Sequence, residues 1–187
     1  MTESTPDSSP GPADDEWLVV IDAQQIFADP SSPWGSPMWD ETEPRIRRLL
    51  RAYGPRSVFT RFVADPGLGG SWGPYYDDWP FALVPDDDPL YAVVPGLADL
   101  VASAGGVVTA GTFGKWNADL VGVVGAQPLL TLAGVSTDCC VISTALAAAD
   151  AGATVRVVAE ACAGSSIANH ERALSAMALY GPQITVV

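Results

Sequence analysis

The chemistry that the sequence suggests first is that of a cysteine nucleophile. An apolar run over residues 129–133 ends in small residues, and an alanine-rich segment with a cysteine in its first turn follows at once. Free N–H groups at a helix start stabilise an anion and lower a thiol pKa, so we expect Cys140 to be a reactive thiolate. Lys115, the only lysine, and Asp22, which ends the first apolar run, would supply a cation and a carboxylate.

Each of these residues also has a structural interpretation. Cys140 could be a small buried residue, Asp22 a cap and Lys115 a surface charge. Cys139 is the alternative candidate for the nucleophile. Neighbouring helix positions differ by about 100° in direction, so only one of the two cysteines can face a pocket. We predict Cys140 as the nucleophile, Cys139 as a pocket-lining or buried residue, and Cys162 as a small buried residue.

The pattern around these residues resembles the isochorismatase-like cysteine hydrolases. The resemblance covers residues 17–187 and depends on four short stretches: Ile21-Asp22-Ala23-Gln24, Gly114-Lys115, Gly134-Val-Ser-Thr-Asp-Cys-Cys140-Val and Thr144-Ala145. The family includes nicotinamidases, N-carbamoylsarcosine amidases, ureide and biuret hydrolases, and true isochorismatases.

The resemblance implies a catalytic triad of Asp22, Lys115 and Cys140. It also implies a cis peptide between Val135 and Ser136, and an oxyanion hole formed by the N–H groups of Ser136 and Cys140. We expect the substrate to contact side chains on or near these motifs and in an aromatic-rich segment: Gln24, Phe27, Arg61, Trp72, Trp116 and Cys139. Arg61 could bind a substrate carboxylate, or it could form a surface ion pair.

A metal or other cofactor is not expected. Nicotinamidases of the family usually carry an Asp-x-His cluster after the second strand, where this chain reads Thr60-Arg61-Phe62-Val63. His170 is the only histidine, and we interpret it as a residue on a helix face. The sequence therefore predicts a hydrolase that needs no metal.

Three functions remain open. The first is a cysteine amidase that cleaves a C–N bond of a small carboxamide, ureide or N-carbamoyl compound through a thioester. The second is a vinyl-ether hydrolase of the isochorismatase type, which needs the acid Asp22 but no thiol. The third is a non-catalytic binding protein that keeps the fold. The intact triad favours the first.

Alternating strands and helices must position these residues. Strands are predicted at residues 17–21, 57–60, 107–109, 129–133, 154–159 and 184–187, and helices at 41–53, 95–103, 138–151 and 169–180. This order predicts a three-layer α-β-α sandwich, Rossmann-like, with a mainly parallel six-stranded sheet. The segment 61–90 shows no period and is expected to be a long loop, either a lid or a subunit contact.

Composition limits the partners. The net charge is −13, with 9 Lys and Arg against 22 Asp and Glu, so nucleic acids and membrane surfaces are poor partners. Residues 1–16 hold five acidic and no basic side chains and are predicted to be a disordered tail before a single domain at 17–187. We expect a cytoplasmic homo-oligomer, a dimer or tetramer, that acts on a small molecule.

Overall fold

The computed structural model describes residue 13 and residues 15–187, so most of the predicted tail lies outside the described residues. Six parallel strands form one sheet in the order β3-β2-β1-β4-β5-β6. The strands are β1 (Glu16–Ile21), β2 (Ser57–Phe62), β3 (Gly106–Ala110), β4 (Leu129–Val135), β5 (Thr154–Ala163) and β6 (Ile184–Val186). The predicted parallel sheet is confirmed.

Helices cover both faces of this sheet. They are α1 (Gln25–Ala28), α2 (Trp39–Tyr53), α3 (Trp72–Asp78), α4 (Pro95–Val101), α5 (Ala118–Val124), α6 (Ile142–Asp150) and α7 (Ile167–Met177). In β1, Leu18 and Val20 pack towards α2 and α4, whereas Val19 and Ile21 pack towards α5, α6 and α7. Because a strand buried on both faces needs apolar residues at every position, β1 reads as a continuous apolar run.

The strand order places the site at a reversal of the chain. The chain starts in β1, moves outward to β2 and β3, and returns to β4 on the other side of β1. A crevice opens beyond the carboxyl ends of the strands at such a switch point. The approach of β4 to β1 requires Gly134, whose φ is 120° and where a Cβ atom would lie 2.1 Å from the carbonyl oxygen of Ile21.

Several elements differ from the sequence expectations: α1 and α5 were not predicted, and β5 extends to Ala163. Strand β1 begins at Glu16, whose buried carboxylate accepts hydrogen bonds from Tyr53 and Thr131. The predicted helix 138–151 is divided into a π-helical turn, Thr137–Val141, and α6. The segment 61–90 is not a structureless loop, because it contains α3 and three short 3₁₀ turns (Pro66–Leu68, Pro80–Ala82 and Pro89–Tyr91).

Within the described residues, the helices are too short or too polar to cross a lipid bilayer.

Candidate active site

A buried ion pair lies at the reversal point. Lys115 Nζ, on the loop after β3, lies 3.1 Å from Asp22 Oδ2, directly after β1, and both side chains are fully buried. The ammonium group also donates to the carbonyl oxygen of Thr112 at 2.6 Å and lies 5.1 Å from the ring centroid of Phe62. Because both groups are buried, each charge depends on the other for its stabilisation.

The neighbouring strand fixes the orientation of Asp22. Its backbone has a φ of 46°, which is uncommon for a residue with a Cβ atom. Thr60 Oγ1, on β2, donates to Asp22 Oδ1 at 2.7 Å and accepts from the Asp22 N–H at 3.1 Å. Among the described residues, no aligned hydrogen-bond donor reaches Asp22 Oδ2. This oxygen is therefore the one that can accept a proton.

The surroundings of Cys140 do not favour the resting thiolate that the sequence led us to expect. Burial raises the pKa of Cys140 well above its ordinary value, and the negative charge of Asp22 raises it further, while Lys115 opposes the shift. Desolvation is the largest of these effects because the thiol lies beneath the protein surface. A neutral thiol would need a base to take its proton during an attack.

Thr144 joins the two halves of the site. Its hydroxyl donates to the carbonyl oxygen of Cys140 at 2.7 Å and accepts from the backbone N–H of Lys115 at 2.9 Å. The loop that carries the lysine is thereby attached to the turn that carries the cysteine. Sequence reasoning did not assign a role to Thr60 or Thr144, although Thr144 was part of the motif.

The turn after β4 presents backbone donors. The peptide bond between Val135 and Ser136 is cis, as the resemblance implied. Neither the Ser136 nor the Cys140 N–H has an acceptor among the turn, loop and cap hydrogen bonds of the described residues. Next to them, Thr137 Oγ1 lies 2.8 Å from Nδ1 of the buried His170 on α7. The oxyanion hole formed by these two N–H groups stays a prediction, because hydrogen bonds within the helical turn itself are not among these contacts.

A cavity of about 360 Å³ opens over Cys140. This volume is within the range of small-molecule sites. Charged side chains are absent from the cavity lining of the described structure, which consists of Phe27, Pro33, Trp34, Gly35, Phe62, Tyr75, Trp79, Phe113, Ser136, Cys139, Cys140 and Ser165. Asp22 and Lys115 lie fully buried, outside this lining.

Gln24 supports the site instead of facing the cavity. Its side-chain amide donates to the carbonyl oxygens of Phe62 and Tyr91, at 3.0 and 2.8 Å, and accepts from the Phe62 N–H at 2.7 Å. Because both ends of the amide are used by the protein, the expected contact of Gln24 with substrate is corrected to a structural role.

Three other expected substrate contacts also lie outside the cavity lining. Successive residues of a strand point to opposite sides, so Phe62 faces the cavity and Arg61 does not. Arg61 forms an ion pair with Asp86 at 2.8 Å instead. Trp72 packs on the rings of Tyr75, Tyr76 and Phe113. Trp116 packs into the core on the α5–α7 side of the sheet. Phe27 and Cys139, in contrast, do line the cavity.

The aromatic wall of the cavity was only partly foreseen. Trp34 lies at the centre of this wall. Its ring centroid is 4.9–5.9 Å from the ring centroids of five other aromatic residues: Phe27, Phe62, Tyr75, Trp79 and Phe81. The aromatic residues of segment 61–90 had suggested a pocket wall, but Trp34 lies in a Pro- and Ser-rich stretch without any period. Such a stretch gives no sequence signal for the direction of a side chain.

Comparison with known proteins identifies the family of the chain. The model of the isochorismatase domain matches residues 16–186. The chain belongs to the isochorismatase family of hydrolases. Among curated protein sequences, none is significantly similar to this family member.

Solved structures share the fold of this isochorismatase-family hydrolase. A cysteine hydrolase from Pseudomonas syringae has a TM-score of 0.76 at 16% identity, with 96% of this chain and 94% of that chain covered. A nicotinamidase from Bacillus subtilis has a TM-score of 0.74 at 22% identity, with 92% and 99% covered. A pyrazinamidase of Pyrococcus horikoshii, in complex with zinc, has a TM-score of 0.68 at 23% identity, with 92% and 98% covered.

The zinc of the last structure raises the question of whether this family member could hold a metal. In the described part of the chain, no three His, Cys, Asp or Glu side chains lie close enough together to bind one. The end of β2 carries Arg61, a cation, and the ring nitrogen Nδ1 of His170 contacts Thr137. The residues of this site do not fit a zinc ion.

Proposed function

We propose that the protein is a metal-independent cysteine amidase that hydrolyses a small, neutral carboxamide through a thioester on Cys140. The observation that carries the proposal is the buried Lys115–Asp22 ion pair at the carboxyl ends of the strands, beside a cysteine in the floor of an aromatic cavity. A nucleophile, a base and a cation placed together are the parts that amide hydrolysis by a thiol needs.

In the acylation half of the reaction, Asp22 Oδ2 accepts the thiol proton as the Cys140 sulfur attacks the amide carbon. The negative charge moves to the carbonyl oxygen, where the N–H groups of Ser136 and Cys140 would stabilise it. When the tetrahedral intermediate collapses, the C–N bond breaks and the nitrogen takes the proton from Asp22. Ammonia or an amine leaves, and a thioester remains on the sulfur.

In the deacylation half, a water molecule replaces the amine. Asp22 accepts a proton from the water as its oxygen attacks the thioester carbon, and the same N–H groups stabilise the second oxyanion. The C–S bond then breaks, the proton returns from Asp22 to the Cys140 sulfur, and the carboxylic acid leaves. Lys115 does not react, but its ammonium group, 3.1 Å from Asp22 Oδ2, balances the negative charge of the base.

The cavity favours a neutral substrate with a flat or apolar group. Its wall is mostly aromatic and, within the described residues, carries no cation to pair with a substrate carboxylate. Arg61, the expected carboxylate partner, is paired with Asp86 instead. Burying an unpaired carboxylate is costly, so N-carbamoyl amino acids and isochorismate, a dicarboxylate, are poor candidates. The vinyl-ether alternative therefore has less support than the amidase.

Ammonia release from a panel of amides tests the proposal. The panel pairs neutral carboxamides of similar size with anionic ureides and N-carbamoyl amino acids, and isochorismate is assayed separately. We expect turnover of neutral carboxamides, its loss in Cys140→Ala, and an acyl adduct on Cys140 by mass spectrometry after rapid quenching with a slow ester analogue. Turnover that survives in Cys140→Ala would refute the thioester route. The expected cytoplasmic location and homo-oligomer stay predictions.

A further inference from the structure

The loop after β5 leaves the sheet beside the turn that carries Cys140. Strands β4 and β5 are neighbours, and Val135 at the end of β4 is level with Ala163 at the end of β5. The catalytic turn, Thr137–Val141, follows β4, and the β5–α7 loop, residues 164–166, follows β5. Because parallel strands end at one edge of a sheet, the turn and the loop lie side by side.

Ser165 in this loop binds the carboxylate of Asp138 with two donors. Its backbone N–H donates to Oδ1 at 2.8 Å, and its hydroxyl donates to Oδ2 at 2.6 Å. The hydroxyl also accepts from the side chain of Asn169 on α7 at 2.9 Å. Asp138 lies directly before Cys139 and Cys140. A double hydrogen bond to a carboxylate fixes direction as well as distance, so this contact holds the residue next to the two cysteines.

The same loop is bound to the aromatic wall of the cavity. Ser36 follows Trp34 closely in the sequence and is 2% exposed, and its hydroxyl donates to the carbonyl oxygen of Gly164 at 2.6 Å. A Cβ atom at Gly164 would lie 2.6 Å from the Cβ of His170, so the loop packs closely on α7. Two consecutive residues of one firmly packed loop, Gly164 and Ser165, therefore bind the wall and the catalytic turn.

We propose that Asp138 and Ser165 are positioning residues, whose double hydrogen bond keeps the Cys140 thiol in place at the floor of the cavity. The inference rests on the proposed amidase function for the reaction that it affects. A nucleophile that is slightly displaced attacks more slowly, although the substrate still binds in the cavity. The bond between Ser36 and Gly164 acts on the wall instead, so its loss should weaken substrate binding more than it slows the chemical step.

Steady-state kinetics on a neutral carboxamide that the wild type turns over distinguishes the two contacts, with urea denaturation to verify that each variant is folded. Asp138→Ala should lower kcat by about tenfold or more and change KM by less than about threefold, because the lost hydrogen bonds place the thiol and not the wall. Ser165→Ala removes only the hydroxyl and should lower kcat less. The double variant should be no slower than Asp138→Ala, because both changes break the same contact. Ser36→Ala should raise KM more than it lowers kcat.

Asp29 is the matched control, because it accepts the same pair of hydrogen bonds from one serine. The backbone N–H of Ser31 donates to Asp29 Oδ1 at 2.8 Å, and the Ser31 hydroxyl donates to it at 2.7 Å. Both bonds stay within one short turn of the chain, so Asp29→Ala should keep kcat within about twofold of the wild type. An equal fall of kcat in Asp29→Ala, an unchanged kcat in Asp138→Ala, or a double variant much slower than Asp138→Ala would overturn the positioning role.

Hydrogen exchange separates this inference from the amidase proposal, because it needs no turnover. The backbone amides of the catalytic turn, followed by mass spectrometry of the peptide that contains it, should exchange faster in Ser165→Ala and Asp138→Ala than in the wild type and Asp29→Ala. Faster exchange together with no ammonia release by the wild type from any amide would refute the amidase and keep the role of the two residues in holding the turn. Unchanged exchange in both variants would overturn that role whatever their activity.

Discussion

Replacing Lys115 with methionine tests the buried ion pair, because methionine keeps much of the length and apolar volume of the side chain and removes its charge. At an effective dielectric constant of about 20, two unit charges 3.1 Å apart attract each other by about 5 kcal/mol. Without this attraction, the Asp22 carboxylate is buried with no counter-charge. The proposed base is then no longer held in an ion pair, and proton transfer from the thiol should suffer.

The expected result is a large loss of activity with the fold kept. Each factor of ten in rate corresponds to about 1.4 kcal/mol, so the loss in kcat/KM should reach about 10³-fold. The free energy of unfolding should fall by about 3 kcal/mol at neutral pH, because the Asp22 charge stays buried without its partner. Ammonia release gives the first quantity and urea denaturation the second.

Two further variants make the result interpretable. Arg47 pairs with Asp99 at 2.6 Å on the surface, where the two side chains are 29% and 57% exposed, so Arg47→Met should cost at most about 1 kcal/mol and leave activity intact. The double variant with Asp22→Asn and Lys115→Met buries no charge and should be more stable than Lys115→Met, but inactive. The reasoning is refuted if folded Lys115→Met keeps kcat/KM within tenfold of the wild type.

Four other expectations follow from the same geometry. Cys139→Ser should keep turnover within about tenfold, and Cys140→Ser should form no measurable product; the reverse result, in an ammonia assay, would show that Cys139 is the nucleophile. Thr60→Val removes the hydroxyl that donates to Asp22 Oδ1, and since a hydrogen bond to a charged group contributes about 1.5–3 kcal/mol, kcat should fall about 10- to 100-fold. The melting temperature should fall as well, because the buried Asp22 N–H also loses its acceptor. An unaltered kcat would show that Thr60 does not orient the base. Burial lowers the pKa of His170, so its contribution to stability is fully present above pH ~6.5 and is lost as the pH falls through the lower folded-state pKa. Urea midpoints between pH 5 and 8 should show this decline in the wild type and less of it in His170→Gln, and equal slopes would contradict it. Activity should survive prolonged dialysis against a chelator, and its loss with recovery on adding zinc would overturn the metal-free reaction.

The positions of Asp22, Lys115 and Cys140 could be predicted from the sequence because each follows a strand. Parallel strands end at one edge of a sheet, so three residues directly after or near such ends must come together. The fold class follows from the same alternation of apolar runs and helices. The sequence was sufficient for the meeting of the three residues and for the fold class, because both depend on the order of strands and helices along the chain.

The state of the thiol and the wall of the cavity could not be predicted in this way. The pKa of Cys140 depends on how completely other segments exclude water from it, and no local motif reports that burial. Trp34 and Tyr75 come from segments without a period, and Arg61 and Phe62 are neighbours that face different surroundings. The direction of these side chains is decided by tertiary packing.

The raised pKa of Cys140 and the pairing of Lys115 with Asp22 have the same cause, which is burial. The site holds one cation, Lys115, and two groups that could be anionic, Asp22 and Cys140, and all three are buried. Two negative charges beside one positive charge would leave a net charge out of water, in agreement with the raised pKa of Cys140. In the proposed reaction, Asp22 therefore accepts the proton as Cys140 loses it, and we expect that a free thiolate does not accumulate. It follows that alkylation of Cys140 by iodoacetamide should be slow at neutral pH. It should not become faster in Asp22→Asn. That variant removes a negative charge near the sulfur, but it also removes the base that takes the thiol proton. Faster alkylation in Asp22→Asn would show that Lys115 alone can hold the thiolate and that the proton of Cys140 does not depend on Asp22.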